Sequence, residues 1–393
     1  MKDILRKFII FLAAPLCLIL YLLRPFIIIR FGMLQSSRIG GILPSAENYL
    51  HIKNKINSNK RKYFDIISFE DQICNEQIAL LVSRKIKIFP YKKILRLIIV
   101  ITNFWFSDKS HLIFFTSIAK YDHFLKKEPK LDFTDDEKNQ ALNMMNNIGI
   151  NKDDHWVCIH NRDSEYLNIN YQDRDWSYHD FRDYNITSMV STCNYFLSKN
   201  YYVIRIGKNA SSKIELKHPR LIDYPFSSFK NDLLEIYLMA NCKLYIGCSS
   251  GPANIPIIYT KPLLLTNYND IHLLNLLKHN QWLLILKVFF DLKTNKILKL
   301  DDIFSRKLHN LFRSEDYSKL GIKVVENTPD EVLNASIELE QRENNTWIDT
   351  PSSTLLQKKF WNIIDKYSNK NKFNQHNLFI SSYFLKKYEN VLF

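Results

Sequence analysis

The sequence predicts an α/β fold built on a doubly wound parallel sheet, and three observations point there. From about residue 150, short apolar strand-like runs alternate with helical stretches at the spacing of successive βαβ units. In the string LYIGCSSGPANIPIIYTKPLLL, residues 244–265, small polar residues and a Gly-Pro interrupt one apolar run before a second begins. Thr328, Pro329 and Glu331 carry the signature of a capped helix start. With 393 residues, 46% of them hydrophobic and 13% aromatic, the chain has the length for two domains and the apolar surface for real cores, which excludes a disordered protein.

Residues 8–23, FIIFLAAPLCLILYLL, form an uncharged run between Lys2, Arg6, Lys7 and Arg24. A straight helix over it covers roughly 24 Å, short of the roughly 30 Å bilayer core. No small-residue cleavage site follows. We therefore expect residues 1–25 to be an uncleaved hydrophobic anchor, re-entrant around Pro15, with its basic flanks at the cytoplasmic face of the inner membrane. The alternative is a buried helix of a soluble protein. FIIIRFG then reads as a strand, SSRIGGILPSAENYL as a turn entering a helix, 63–67 as a strand, and 75–86, 91–106 and 134–150 as helices. These define a first domain over 26–150.

In the second half, strands are expected at 155–160, 201–207, 221–224, 243–247 and 262–266, and helices at 186–199, 231–242 and 327–341. They make a domain over 151–341, followed by a helical extension over 342–393. In such a sheet ligands bind outside the carboxyl ends of the strands.

The excess of 54 Lys and Arg over 40 Asp and Glu, a net charge of +14, suits nucleic acid, anionic lipid or phosphorylated substrates. No RNP-like pattern, zinc-finger spacing or basic heptad array accompanies it, so nucleic acid is not expected as a partner. The six cysteines are scattered without a CxxC pair, against both zinc and a disulfide framework.

Four stretches can carry chemistry. The turn holding Ser249, Ser250 and Gly251, with a helix expected from Pro252, would present free backbone N–H groups to a phosphate or diphosphate. CIHNRDSEYLN places His160, Arg162 and Asp163 at the carboxyl edge of a strand, where an Arg neutralises a diphosphate and a His or Asp takes a hydroxyl proton. The same residues also suit a strand terminus with a surface ion pair. In YHDFRDYNI, Asp183 and Asn185 read as helix caps, whereas Arg182 would complete a phosphate clamp, and Arg205 ends the next strand. The DRD at 173–175 matches a short manganese-binding pattern, but its polar loop argues for solvation, and no metal is expected.

With these pieces placed, the chain resembles a family of bacterial glycosyltransferases from surface-polysaccharide and lipopolysaccharide gene clusters. The matching stretches are LRPFIIIRFGMLQSSRIGGILPSAENYL, CNEQIALL, VCIHNRDSEYLN, YHDFRDYNI, YVIRIG, YIGCSSGP and ENTPDEV, in that order between about 22 and 340. The second half is also similar to the donor domain of heptosyltransferase-type enzymes, and its His-x-Arg to the arginine motif of O-fucosyltransferase-like enzymes. The resemblance implies a GT-B-like fold: two Rossmann-like domains facing across a cleft, acceptor side first and donor side second. It implies inverting, metal-independent transfer from a nucleoside-diphosphate sugar to a lipid-linked or membrane glycan beside an anionic membrane surface, with no cofactor beyond the substrate. Ser249, Ser250, Gly251, Arg205 and Arg182 would hold the donor diphosphate, His160, Asp163 and Arg162 would be catalytic, and Arg38 and Gly40 would lie on the acceptor side. Gly41 stands where many relatives carry a histidine, and Ala253-Asn254 where heptosyltransferases carry theirs. A nucleotide-sugar epimerase and a non-catalytic binding protein of the same architecture are the alternatives.

Overall fold

The computed structural model describes residues 10–56, 62–70, 72–116, 129–173, 175–276, 282–367 and 378–393. It divides into two compact units, Met1–Asp135 and Asp136–Phe393, each with its own sheet.

In the first unit, β1 (Ile27–Leu34) and β2 (Lys62–Phe69) pair in parallel over eight residues. Arg30 stands opposite Asp65 in that register and donates to it at 2.7 and 2.8 Å, while the Tyr49 hydroxyl donates to the same carboxylate at 2.7 Å. Single parallel bridges extend the ladder, Ile67 to Ile88 on one side and Phe31 to Leu112 on the other. The spatial order, third segment, β2, β1, fourth segment, is that of half a doubly wound sheet. Helix α1 (Ala14–Leu23) precedes β1, α2 (Ile39–Ile56) follows it, and α3 (Glu76–Lys85) and α4 (Lys92–Trp105) follow β2. Asn75 caps α3, its side chain accepting from the Ile78 N–H at 3.0 Å.

Of the expected anchor, residues 10–25 are described. Helix α1 has ten residues, about 15 Å of helix, and buries Cys17 and Leu20 in a cluster with Phe31, Leu95, Ile101 and Phe106. No helix among the described residues is long and apolar enough to cross a membrane. Lys2, Arg6 and Lys7 lie outside the described residues.

The second unit is built on seven strands, all paired in parallel: β3 (Trp156–Ile159), β4 (Tyr202–Arg205), β5 (Leu221–Asp223), β6 (Leu244–Gly247), β7 (Leu263–Tyr268), β8 (Trp282–Leu286) and β12 (Phe379–Ile380). Their spatial order is β5-β4-β3-β6-β7-β8-β12, so the direction of winding reverses between β3 and β6. Strands β3, β4, β6, β7 and β8 are buried at every position, which is why they read as continuous apolar runs. A small antiparallel sheet of β9 (Val288–Asp291), β10 (Lys296–Ile297) and β11 (Ile322–Val325) begins where the chain leaves β8 at Lys287.

The main helices of this unit are α5 (Asp135–Asn147), α6 (Glu165–Asn170), α7 (Val190–Ser198), α8 (Asp232–Asn241), α9 (Asn254–Ile258), α10 (Leu300–Ser305), α11 (Ser314–Lys319), α12 (Pro329–Glu343), α13 (Pro351–Tyr367) and α14 (Ser382–Lys387). The capping box at α12 forms as the sequence indicates, between Thr328 and Glu331. Residues 342–393, expected as an extension, are part of this unit. They supply β12 to the sheet edge, and Lys387 and Tyr388 bond the Glu331 carboxylate at 2.5 and 2.7 Å. The division between units also falls earlier than expected, so nearly all of α5 belongs with the second sheet.

Candidate functional site

The loops that leave β3 and β6 lie side by side where the sheet reverses its winding, the position at which open α/β sheets leave a crevice for ligands. The His160 N–H donates to the Ile246 carbonyl at 2.9 Å, holding the two strand ends together. Gly247 is required for that approach, since a Cβ there would stand 2.8 Å from the Tyr245 ring and 3.1 Å from the His160 carbonyl. Tyr184, itself buried, donates its hydroxyl to the His160 carbonyl at 2.5 Å.

The turn after β6 differs from the expectation in one respect. Pro252 lies in the turn, and helix α9 begins at Asn254 and runs only to Ile258. A helix this short adds little dipole, so what the turn could offer an anion is its own backbone donors. The Asn254 side chain donates to the carbonyls of Ser250 and Gly251 at 3.3 and 3.1 Å. The Ser249 hydroxyl donates to Asp270. The backbone N–H groups of Ser249, Ser250 and Gly251 donate to no protein acceptor among the described residues, and all three residues are partly exposed.

Three cations lie near this turn, and Arg182 bonds it directly. Arg162 is held by Asp183 and by the His179 carbonyl. Burial, reinforced by Arg182, lowers its pKa to about 10, which leaves it cationic at neutral pH. Arg182 donates to the Ser249 carbonyl at 2.5 Å and lies 3.8 Å from Asp270, while its buried Nε–H has no acceptor among the described residues. Lys287, at the carboxyl end of β8, is 3% exposed and donates to the carbonyls of Phe181 and Asp183 at 2.9 and 2.8 Å. Burial brings its pKa down to about 8; Glu326 and Cys248 act in the other direction, and Arg162 and Arg182 lower it further. Asn269, just after β7, is buried, and its Nδ2 donor has no partner among the described residues. Buried donors left unpaired and neighbouring cations are groups that an anion would be able to satisfy.

The remaining expected residues sort by geometry. The His160 Nδ1 lies 2.9 Å from the Ile206 carbonyl. A carbonyl only accepts, so Nδ1 carries the proton and Nε2 keeps its lone pair. Burial, with smaller effects from its neighbours, brings the His160 pKa down to about 4, so the ring is neutral. Asp163 is occupied structurally: its carboxylate accepts from the N–H groups of Glu165 and Ser211 and from the Ser211 hydroxyl, at 3.0 to 3.2 Å. Arg205 does not reach the crevice. It is 1% exposed and spends its guanidinium on Asn161, Ser212 and Asp223, tying β3, β4 and β5 together.

In the first unit, Arg38 and Gly40 lie where the chain leaves the carboxyl end of β1 and enters α2, and the Arg38 carbonyl accepts from Gly41 and Ile42. Asp173 and Asp175 are exposed, and Asp175 accepts from the Ser177 N–H at 2.9 Å, a turn-forming role. Arg174 lies outside the described residues.

Lys287, Asp270 and Asn269 escaped the sequence reading. The available signal was a single Lys inside the apolar run WLLILKVFF, an expensive residue to bury without purpose.

A comparison of the sequence with protein-family profiles finds no match, and one with curated proteins finds none. Among solved structures, the chain is similar to the ADP-heptose lipopolysaccharide heptosyltransferase II of E. coli, with a TM-score of 0.38 and 9% identity, over 60% of this chain and 84% of that one. A likeness of that size carries no weight for chemistry.

Proposed function

We propose that this chain is a glycosyltransferase that moves a sugar from a nucleoside-diphosphate sugar to a membrane-associated glycan or lipid-linked acceptor, in the synthesis of a bacterial surface polysaccharide. One observation carries the reading. Three stretches, around Arg162, Arg182 and Ser249, meet at the switch point of a parallel sheet and there combine two guanidinium groups with three backbone N–H groups that have no acceptor among the described residues. That set suits a diphosphate, whose charge it neutralises as the leaving group departs.

In the proposed inverting step, the acceptor oxygen bonds to the anomeric carbon as the bond from that carbon to the diphosphate oxygen breaks. The hydroxyl proton passes to the Nε2 of His160, the one of the two candidate bases whose accepting atom is not already committed. Neutralisation by Arg162 and Arg182 makes the step independent of a metal. Arg38 and Gly40, at the edge of the first sheet, belong in this reading to the acceptor side.

The test is a nucleotide-release assay on the purified chain with a panel of nucleoside-diphosphate sugars and lipid-linked acceptors. Acceptor-dependent release from at least one donor is expected, reduced about 100-fold in Arg182→Ala. Nucleotide binding with no release under any donor and acceptor would overturn the transferase reading and leave a binding protein.

A further inference from the structure

Helix α1 buries only two of its ten residues, Cys17 and Leu20. Leu16, Leu18, Ile19, Tyr21 and Leu22 are all exposed, Leu18 by 57% and Ile19 by 54%. Helix α4 packs beside it through Leu95 and Ile101 and turns Ile94, Leu97, Phe104 and Trp105 outward, Phe104 by 67%. Between the two helices an open cavity of about 760 Å³ is lined by Pro15, Cys17, Leu18, Tyr21, Trp105 and Phe106, among others. Leaving such apolar side chains in water is unfavourable, and large exposed apolar patches on proteins commonly mark interaction sites.

The chemistry at the edges of the patch chooses the partner. Neither α1 nor α4 contains an acidic residue, Asp108 at the rim of the cavity is paired with Arg24 at 2.9 Å, and Lys92 and Lys93 stand exposed at the amino end of α4. Tyr21, Tyr91 and Trp105 are the amphipathic aromatics favoured at the level of lipid headgroups. With about 15 Å of helix, α1 is too short to span, but lying flat it sinks its apolar side chains to the acyl boundary.

We propose that α1 and α4 together form an in-plane docking face for an anionic lipid bilayer, on which the protein sits without crossing. This stands apart from the sugar-transfer reading, and its test does not use activity.

The full-length chain is floated with vesicles of neutral phosphatidylcholine, or of phosphatidylcholine containing about one third phosphatidylglycerol. Wild type is expected to float with the anionic vesicles and far less with the neutral ones. Phe104→Glu, and separately Leu18→Glu with Ile19→Glu, should each reduce the bound fraction about tenfold, and Lys92→Glu with Lys93→Glu should remove the preference for anionic lipid. Circular dichroism checks that each variant folds, and Phe104→Ser serves if the glutamate does not. Failure of wild type to float, flotation unchanged in the position 104 variant, or a dimer seen by light scattering that the same variants disperse in the absence of vesicle binding would each overturn the proposal.

Discussion

Lys287 holds a positive charge where burial opposes it, which makes it the most pH-sensitive cation of the site. With its pKa lowered to about 8, it is charged below that value and loses its charge as pH rises through it. Affinity for a nucleoside diphosphate should therefore fall between about pH 7 and about pH 9, and the fall should flatten in Lys287→Met, as measured by calorimetric titration across that range. His160 behaves in the opposite sense. Its ring, with a pKa near 4, is already neutral throughout that range, so it contributes no slope there. His160→Ala should lower turnover with little change in nucleotide affinity, a split that steady-state kinetics beside binding measurements will show. In contrast, Arg30 and Asp65 are matched for stability, with side chains 13% and 6% exposed, and Arg30→Met should destabilise the first unit by about 3 kcal/mol, because it strands a buried carboxylate.

At the level of the elements, the turn after β6 makes two neighbouring substitutions diverge. Ser249→Ala removes one hydroxyl already committed to Asp270 and leaves the backbone donors in place, so diphosphate affinity should change only a few-fold. Ser250→Pro deletes a free N–H and should cost about tenfold or more, with both read by titration of the same ligand. The parallel strands and the α12 capping box were legible because buried parallel strands are continuous apolar runs and a capping box is local chemistry. The run 282–291 was not, since WLLILKVFFD has no period that separates one strand from two, and the break at Lys287 is visible only once β8 and β9 join different sheets. Strand β12, two residues long, offers no pattern at all. Arg162 and Arg205 look alike in sequence, each at the end of a strand. Register decides between them: Asp223 stands opposite Arg205 on β5 and, with Asn161, draws that guanidinium inside.

Across the molecule, both sheets wind outward from a central pair, and the same rule places the candidate residues of each at the carboxyl edge. The net charge of +14 gives the protein a field that draws in anions, so nucleotide affinity should weaken as salt rises from about 0.05 to about 0.5 M. The central claim is that the switch point of the second sheet grips a diphosphate. It is tested most directly by calorimetry of UDP, GDP, ADP and CDP against wild type, Arg182→Ala and Ser250→Pro. At least one nucleotide should bind wild type at about 1 to 100 μM and weaken about tenfold or more in each variant. No binding by any of the four, or binding that both variants leave unchanged, would contradict it.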